Sequence, residues 1–508
     1  MWVHSKRLRI LLITGKLAYE LAKDVAREVE RKFDVVVDVL RLNYPVAALM
    51  STRYIAAELE KLPKEELSKY DVILVPGLAW GNAEEIERVT GVATYKGTKD
   101  LLDLPQAIEV FMKGGKLSKT EPADAFLKRE RDYDSRFTNY EIAFEINGVK
   151  VPLRSPPFLI FLELDATKDY SEVLDEVKRY IDVPILGYPA GFSQAEKVRA
   201  DVRRLSDEFP AVGVDADNPR LLIEAIRSGA NLVMNVTEYN WKELLEVRKE
   251  GAFVIAPEDP SNASSLPLLV KRLESEGFSK LIVDPILSPP PFGMARSIVN
   301  YVHLTEEIPD KPFMMGVLNV TELIDADSHG INAALTALAL ELGVSILLTR
   351  EGNKTKWSSA ELRVATEMAR RSGRRSYMKD VGVDLLVLKD KTRKYDEIPN
   401  YAVPIDESKP KMDRGYVRIY KGSTEIAVEW IEGQKRVAMR GRNGLYLARE
   451  LCRTVNPEPE HAAYIGYELA KAEIALILDK NYTQDSPLFE DVRSRVDTGV
   501  NRDTKRHS

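Results

Sequence analysis

Short hydrophobic runs of the kind that form buried β-strands recur along this chain, separated by stretches with the period of amphipathic helices. In the first hundred residues the runs are LRILLITG, VVVDVLRL and YDVILVPG, with helical patterns near residues 17–33 and 53–69. Continuous apolar strands that alternate with helices are typical of a parallel sheet covered on both faces. The pattern predicts a doubly wound α/β domain over residues 1–112.

A connector is predicted next, over residues 113–155. Its first part is rich in charged residues, which favours a solvated helix. The stretch YEIAFEINGVKVPL then places Asn147 and Gly148 between two β-type runs. An Asn-Gly pair in this position is the strongest short-range signal of a β-hairpin with a type I′ turn.

The same alternation resumes beyond the connector and can be counted. Eight apolar runs follow: FLIFLEL, VPILGYP, AVGVDAD, NLVMNVTE, FVIAPE, KLIVDPIL, FMMGVLNVT and VSILLTREG, with helical patterns between most pairs. Eight strand–helix units in this length are typical of a TIM barrel. The prediction is a central (β/α)8 barrel over residues 156–375.

The last quarter of the chain has a different pattern. VDLLVLKDK predicts one further strand within a proline-rich linker over residues 376–410. A hairpin of GYVRIYKG and EIAVEWIEG, then helices from Asn443 and His461, predict a small α+β domain over residues 411–490. The polar residues 491–508 are expected to be a disordered tail.

Composition narrows the function classes. The 508 residues carry a net charge of −6, with 44% apolar and 30% charged residues, as in soluble globular proteins. No basic face is expected, which argues against a nucleic-acid or acidic-membrane partner. Cys452 is the single cysteine, so disulfides within the chain and cysteine-held metal centres are excluded.

The longest apolar run does not predict a membrane span. INAALTALALELGVSILL contains Glu341 and breaks at Gly343, which indicates a helix followed by a strand. The chain also starts without a signal-peptide cleavage pattern. A cytoplasmic location is expected.

Four polar residues end predicted barrel strands, where an apolar side chain would be the ordinary choice. They are Asp215 on strand three, Asn235 on strand four, Asp284 on strand six and Asn319 on strand seven. Reactive residues of TIM barrels lie at this carboxyl end of the strands. Two carboxylates and two amides match the donors and acceptors of a pyrimidinone ring, because a carboxylate accepts two adjacent N–H groups.

These residues carry a family resemblance. VGVDADNPRLLIEAIRSGANLVMNVTE, followed by LIVDPIL, resembles the pterin-binding barrel shared by dihydropteroate synthases and methyltetrahydrofolate:corrinoid methyltransferases. It covers strands three to eight and implies that Asp215, Asn235 and Asp284 hold the pterin ring. GVLNVTELIDADSHG resembles strand seven of the methyltransferases, which implies that Asn319 lies near N5 of the pterin. The whole chain most resembles the archaeal dihydropteroate synthase-related proteins, a group associated with folate-like pterins that include tetrahydromethanopterin.

The departures from that family concern the reacting groups. Strand one contains Glu163 and Asp165 where the synthases have an Asn, and the Lys expected after strand seven is absent. The cobalamin-binding Asp-x-His-x-x-Gly of the corrinoid enzymes is also absent. Arg350, after strand eight, is the candidate for contact with an anionic group.

The resemblance implies a dihydropteroate synthase-like transferase of folate or tetrahydromethanopterin-type cofactor biosynthesis. It would join the 6-methylene group of a reduced pterin, as substrate or ligand, to an arylamine. Asn319 and Arg350 are the predicted catalytic residues; Asp215, Asn235 and Asp284 are the predicted substrate-binding residues. Methyl transfer at the pterin N5 and a non-catalytic pterin-binding or assembly role stay open as alternatives. So do a homodimer and a Mg2+ requirement, although the sequence indicates no metal site.

Several other polar positions have equally simple structural explanations. Glu163 and Asp165 could be acid–base groups or surface ion-pair partners. Asp325, Asp327 and His329 could bind a metal or contact the substrate, but their setting favours a solvated loop. In the first domain, TGKLA resembles a phosphate turn but lacks the P-loop spacing. PGLAWGN is a candidate cleft loop by the rule that ligands bind where strand order reverses, and GTKDLLDLP is a further candidate face or a plain turn.

Overall fold

The computed structural model describes residues 7–127, 140–373, 377–391 and 415–489. The chain divides into two compact units, Met1–Lys391 and Thr392–Ser508. The predicted disordered tail and most of the predicted linker lie outside the described residues. Within these ranges, no helix has both the length and the apolar character needed to cross a membrane.

The first unit begins with a four-stranded parallel sheet in the order β2-β1-β3-β4. Its strands are β1 Leu8–Thr14, β2 Val35–Arg41, β3 Val72–Val75 and β4 Ala93–Lys96. Its helices are α1 Tyr19–Lys32, α2 Thr52–Leu59, α3 Lys64–Leu67, α4 Glu84–Thr90 and α5 Leu104–Met112. Helices α1 and α5 share one core with alternate residues of β1, and α2 and α4 share the core on the opposite face. The doubly wound prediction is confirmed.

The predicted hairpin forms and closes the lower end of the barrel. Strands β5 Ile142–Ile146 and β6 Val149–Pro152 are antiparallel, and both turn residues have positive φ, 42° at Asn147 and 90° at Gly148. Ile146 and Val151 are buried in the same apolar cluster as the interior of the barrel. The side chain of Lys280, just before a barrel strand, donates to the carbonyl of Glu145 over 2.8 Å.

Eight parallel strands form the barrel, in the order β12-β11-β10-β9-β8-β7-β14-β13. A parallel bridge between Val283 and Phe313 joins the two edge strands and closes the ring. The strands are β7 Leu159–Asp165, β8 Val183–Gly187, β9 Gly213–Asp215, β10 Leu232–Val236, β11 Ala252–Ile255, β12 Leu281–Val283, β13 Met314–Gly316 and β14 Ile346–Arg350. The predicted TIM barrel is confirmed.

The outer layer of the barrel consists of helices that follow the strands. They are α6 Ser171–Val177, α7 Ala195–Ser206, α8 Pro219–Arg227, α9 Leu266–Ser275, α10 Met294–Glu307, α11 Leu318–Thr321, α12 Ser328–Leu342 and α13 Ser358–Ser372. A 3-10 segment, Trp241–Glu246, takes the place of an α-helix after β10. The apolar faces of these helices and the outward residues of the strands form the largest core of the protein.

The strand predicted at VDLLVLKDK is wrong. Residues 383–391 contain no strand, and Leu386, Val387 and Leu388 are exposed. An apolar run forms a strand only where a neighbouring strand can take up its N–H and C=O groups. Within the described residues, this run is not paired with any strand.

The second unit is a three-stranded antiparallel sheet packed on two helices. Its strands are β15 Tyr416–Lys421, β16 Ile426–Glu432 and β17 Lys435–Gly441, and its helices are α14 Gly444–Val455 and α15 Pro459–Ile477. Trp430 is at the centre of its core. The hairpin and both helices were predicted; β17 was not, because KRVAMRG has few apolar residues and they are only partly covered.

Candidate functional site

The carboxyl end of the barrel exposes polar side chains that continue its inward-facing rows. Along β7, Leu159 and Phe161 belong to the interior cluster, and Glu163 is the next residue on that face. Side chains of a strand alternate between faces with a period of two, so Glu163 points inward as well. Arg350 follows Ile346 and Leu348 in the same way on β14, and its Cα is paired with that of Glu163.

A glycine leaves space beside Glu163 at the mouth of the barrel. Gly187 ends β8 and is paired with Asp215 on β9. A Cβ atom at this position would lie 3.1 Å from Oε1 of Glu163. The missing side chain therefore keeps the carboxyl of Glu163 next to the open mouth of the barrel.

Asp215 and Asn235 are in direct contact. Asp215 is the last residue of β9, and the side-chain amide of Asn235 on β10 donates a hydrogen bond to its Oδ1. Asn235 has a φ of 63°, and the register of β10 with β11 shifts between Val233 and Val236. Asn is among the few residues that tolerate this left-handed conformation. The irregularity turns the amide toward the carboxyl of Asp215.

The carboxyl of Asp215 is poorly solvated and close to other acids. Burial, followed by the negative charge of Glu163, raises the pKa of Asp215 to about 7. The hydrogen bond from Asn235 acts in the opposite direction, and Asp284 adds a further negative charge. Burial also raises the pKa of Glu163, while the guanidinium of Arg350 opposes that rise. This end of the barrel therefore holds a proton near neutral pH.

Asp284 follows β12 directly and is buried. Its Oδ1 accepts hydrogen bonds from the backbone N–H of Ile286 at 2.9 Å and from the hydroxyl of Tyr301 at 3.1 Å. Burial raises the pKa of Asp284 to about 6, against the effect of these two donors. The same hydroxyl lies 2.8 Å from the carbonyl oxygen of Met314. Because a phenol has one proton, it cannot donate fully to both acceptors.

Asn319 does not end a strand, contrary to the prediction. Strand β13 stops at Gly316, and Asn319 lies in the short helix α11. Its Nδ2 donates to the carbonyl of Leu287 over 3.0 Å, which ties α11 to the loop after β12. The apolar run continues past Gly316 because Val317 and Leu318 are buried in this helical turn, not in the sheet.

Arg350, predicted to follow strand eight, is the last residue of β14, and acids surround it. Its Nη2 lies 3.7 Å from Oδ2 of Asp165, and its Nε lies 3.9 Å from Oε1 of Glu322. Asp165 also pairs with Lys168 at 2.8 Å, and its contacts with Lys168 and Thr167 lower the pKa of Asp165 to about 2. An anionic ligand would have to compete with carboxylates that Arg350 already faces.

Asp215, Asn235 and Asp284, the predicted ring-binding set, lie together at the mouth of the barrel. Other candidates are engaged elsewhere: Asp325 pairs with Lys354 at 3.0 Å, and Nδ1 of His329 lies 3.8 Å from Glu361. No group of three or more His, Cys, Asp or Glu side chains in the described ranges is arranged to hold a metal ion.

Two residues of the site were not found from the sequence. Tyr301 is in the middle of α10, where an aromatic residue is ordinarily part of the core, and no local pattern marks its hydroxyl. Glu322 follows α11 and lies one residue beyond the apolar run predicted as strand seven. Both reach the site through chain folding over many residues, so only the tertiary structure identifies them.

Fold and site together define a (β/α)8-barrel protein with paired acids and amides at its carboxyl end. Two family models match the flanking regions: "Family of unknown function (DUF6513)" at residues 8–99, and PterinBD-DUF4346 at residues 409–485. The chain is 31% identical to the "Uncharacterized protein MJ0107" of Methanocaldococcus jannaschii, over 95% of this chain and 99% of that protein. It belongs to the family of that protein.

The solved structures that are similar to this chain include dihydropteroate synthases. The Thermus thermophilus enzyme in complex with 4-aminobenzoate has 19% identity and a TM-score of 0.36, over 45% of this chain and 98% of that one. The Yersinia pestis enzyme with a pterine-sulfa conjugate has 15% identity and a TM-score of 0.36, over 45% and 97%. Mycobacterium tuberculosis Rv1207 has 16% identity and a TM-score of 0.35, over 45% and 96%.

Proposed function

We propose that the barrel binds a reduced pterin through the pyrimidinone edge of the ring, at Asp215, Asn235 and Asp284. The observation that carries this proposal is the placement of Asp215, hydrogen-bonded to Asn235, and of the buried Asp284 at the same end of the barrel. Burial raises the pKa of both carboxyls, to about 7 and about 6. A carboxyl held in this state is stabilised as the anion by a ligand that offers adjacent N–H donors. The ring N–H and exocyclic amino group of a pterin are such donors, and the carbonyl of the ring can accept from Asn235.

The reaction we propose is the dihydropteroate synthase-like condensation. The nitrogen of an arylamine forms a bond to the 6-methylene carbon of the pterin, the bond from that carbon to a diphosphate oxygen breaks, and the amine loses one proton. Glu163 is positioned for that proton, because it faces the mouth of the barrel and burial raises its pKa above the usual value of a carboxyl. Arg350 is the candidate for contact with the departing anion.

The cations at the mouth of the barrel already form ion pairs, with which a diphosphate would have to compete. Arg350, Lys168 and Lys354 each face a carboxylate: Arg350 and Lys168 face Asp165, and Lys354 faces Asp325. A diphosphate would need at least one of these pairs to open, at a cost that is small for exposed pairs. The proposed enzyme therefore binds its anionic group by exchange of ion-pair partners at the rim.

Methyl transfer at N5 is the second candidate. It is favoured by Asn319, whose amide is fixed by Leu287 at the carboxyl end of β13 and keeps a second N–H. A neutral donor near N5 can stabilise charge that develops there during transfer. A third candidate, a non-catalytic pterin-binding or assembly protein, shares the ring site and lacks turnover.

One experiment separates these three candidates. The full chain is incubated with 6-hydroxymethyl-dihydropterin diphosphate and 4-aminobenzoate, and diphosphate release is measured together with the pterin–arylamine product. Asp284→Ala should lower product formation at subsaturating pterin, whereas Asp175→Asn, an exposed change on α6, should not. Loss of the methyl group from an N5-methyl pterin without diphosphate chemistry would support methyl transfer. Fluorescence binding without either reaction would leave the non-catalytic role, and absence of pterin binding would overturn the proposal.

A further inference from the structure

The N-terminal sheet has a cavity of about 480 Å³, remote in sequence from the barrel residues of the proposed pterin site. It is lined from the carboxyl ends of β1 and β3, the first turn of α1 and the loops after β2 and β4, and by Tyr377 from the segment that follows the barrel. In this sheet the helix after β1 covers one face and the helix after β3 covers the other. The adjacent strands β1 and β3 therefore form the switch point at which open α/β sheets bind ligands.

The loops around the cavity are packed tightly against one another. A Cβ atom at Gly77 would lie 2.6 Å from the carbonyl oxygen of Gly97, a distance that no side chain tolerates. The N–H groups of both glycines donate across these loops, to Thr98 and to Val75. The cavity is therefore formed before any ligand arrives, which reduces the conformational entropy lost on binding.

The walls of the cavity are mainly aliphatic and continue to an exposed apolar rim. Leu12, Leu21 and Leu104 are among the lining residues. At the rim, Leu17 is 79% exposed and Leu78 is 46% exposed, and both line the cavity. A ligand with an apolar body would remove this surface from water, which is the main source of affinity in sites of this size.

Two polar features indicate an anionic end on that ligand. Helix α1 is 14 residues long, begins after Ala18, and has no side-chain cap within the described residues. The acid in its first turn, Glu20, pairs with Lys23 at 3.0 Å. The first turn of a helix carries N–H groups without intrahelical partners and a partial positive charge, so it attracts an anion. Lys99 also lines the cavity, and its ammonium group forms no ion pair with any residue in the described ranges. Its backbone N–H donates to Oδ2 of Asp124 over 2.7 Å, and the neighbouring Asp100 lines the cavity as well.

A buried hydroxyl without a hydrogen-bond partner is an independent indication that the cavity binds a ligand with a polar group. Thr14, the last residue of β1, lines the cavity and is 1% exposed. Its Oγ1 has no hydrogen-bond partner among the described residues. Buried hydroxyls are normally paired, and an unpaired one has a substantial cost in free energy.

The turn after β1 limits the size of the anionic group. The N–H groups of Lys16 and Leu17 already donate to the carbonyls of Tyr44 and Pro45, at 2.8 Å and 3.1 Å. They are not available to surround a chain of phosphates, as the N–H groups of a P-loop do. This argues against a nucleoside triphosphate and for a single anionic group at the first turn of α1.

We propose that the N-terminal domain binds a small organic anion in this cavity. One carboxylate or one phosphate group lies at the first turn of α1 near Lys99, and its apolar body covers Leu17 and Leu78. The site is separate from the proposed pterin site and does not depend on it.

The test uses the full chain with three probes of similar size: benzoate, phenyl phosphate and the neutral benzyl alcohol. Binding is measured by saturation-transfer NMR and isothermal titration. We expect one or both anions to bind and benzyl alcohol to bind at least about tenfold more weakly, since a favourable helix-terminus interaction is worth about that factor. Benzoate and phenyl phosphate distinguish a carboxylate site from a phosphate site.

Two variants locate the site. Ala18→Asp supplies α1 with its own cap and a negative charge, so it should lower the affinity for the anion by about tenfold or more. The thermal unfolding midpoint should stay equal or rise, because the new cap stabilises the helix. Lys99→Gln should weaken the anion by about two- to fivefold. Two control variants, the exposed Lys113→Gln after α5 and Asp284→Ala in the barrel, should leave the affinity for the anion unchanged.

Each result bears on the proposal. Anion binding that Ala18→Asp abolishes and Asp284→Ala preserves would support it. It would be overturned if neither anion binds, if benzyl alcohol binds as well as the anions, or if Asp284→Ala removes binding. Anion binding that survives both Ala18→Asp and Lys99→Gln would also overturn it, because the anion would then lie elsewhere.

Discussion

The side-chain amide of Asn235 donates a hydrogen bond to the carboxyl of Asp215, across two adjacent strands of the barrel. Without this donor, the half-buried carboxyl would face only negative charges, those of Glu163, Asp284 and Asp217. The amide therefore compensates in part for a charge that the free protein holds poorly. A ligand with two N–H groups can complete that compensation, which makes the affinity of the site dependent on protonation.

Pterin affinity should rise with pH. Below about pH 6 both Asp284 and Asp215 carry a proton, since their pKa values are about 6 and about 7. A ligand that donates N–H groups must displace those protons, so we expect affinity to increase about tenfold or more from pH 5.5 to pH 8 and then to level off. Fluorescence titration of a reduced pterin across this range measures the effect, and a flat profile would contradict the ring-binding role of these carboxyls.

Asp284→Ala should weaken pterin binding by about 1.5–3 kcal/mol, the range for a hydrogen bond to a charged group. The barrel should keep its fold, because the residue lies at the end of β12 and no strand pairing is lost. Equilibrium titration at pH 8 gives the affinity, and circular dichroism reports the fold. Asp175→Asn on α6 is the control, and equal affinity of Asp284→Ala and the parent protein would remove this carboxyl from the site.

Asp215→Asn should stabilise the protein at pH 8. The raised pKa of Asp215 means that its contribution to stability is present below about pH 4 and is lost as pH rises through about 7. Replacement by Asn removes that loss. We therefore expect the free energy of unfolding at pH 8 to increase by about 1–2 kcal/mol, after allowance for partial solvent access. Urea unfolding at pH 4 and pH 8 tests this; the gain should vanish at the lower pH.

Tyr301→Phe should move the pH dependence of binding upward. The hydroxyl of Tyr301 donates toward Asp284 and opposes the rise of its pKa, so its removal raises the pKa of Asp284 further. Affinity at pH 8 should change by less than about threefold, and stability should fall by about 1 kcal/mol for the lost hydrogen bond. Tyr446→Phe, at an exposed position of α14, is the control. An unmoved pH midpoint would leave Tyr301 with a purely structural role.

Asn319→Ala should affect turnover more than affinity. We expect a rate about ten- to a hundredfold lower, or about 1.4–2.7 kcal/mol, with a change in pterin affinity below about threefold. Single-turnover rates and fluorescence titrations on the same samples give both numbers, with the exposed Asn353→Ala as the control. Equal losses in both would make Asn319 a ring-binding residue. If neither the rate nor the affinity changes, the role of Asn319 is limited to its structural contact with Leu287.

The sequence determined the order and type of the elements because both depend on local periodicity. The eight apolar runs predicted the barrel strands, and Asp215 falls at a strand end as predicted. Arg350, predicted just after strand eight, is its last residue. Periodicity did not locate the end of β13. Val317 and Leu318 are buried in a helical turn, and a buried strand would have the same apolar residues there. It also predicted a strand near Leu386 that no sheet within the described residues supports.

Only the tertiary structure decided which of these side chains meet and what state they adopt. The closure of the barrel brings Asp284 near Asp215, and the packing of α10 brings the hydroxyl of Tyr301 to Asp284. The raised pKa values follow from burial and from neighbouring charges, which are properties of positions far apart in the chain. The hairpin, predicted as a connector, closes the opposite end of the barrel for the same reason: Ile146 is buried by strands that the local sequence does not specify.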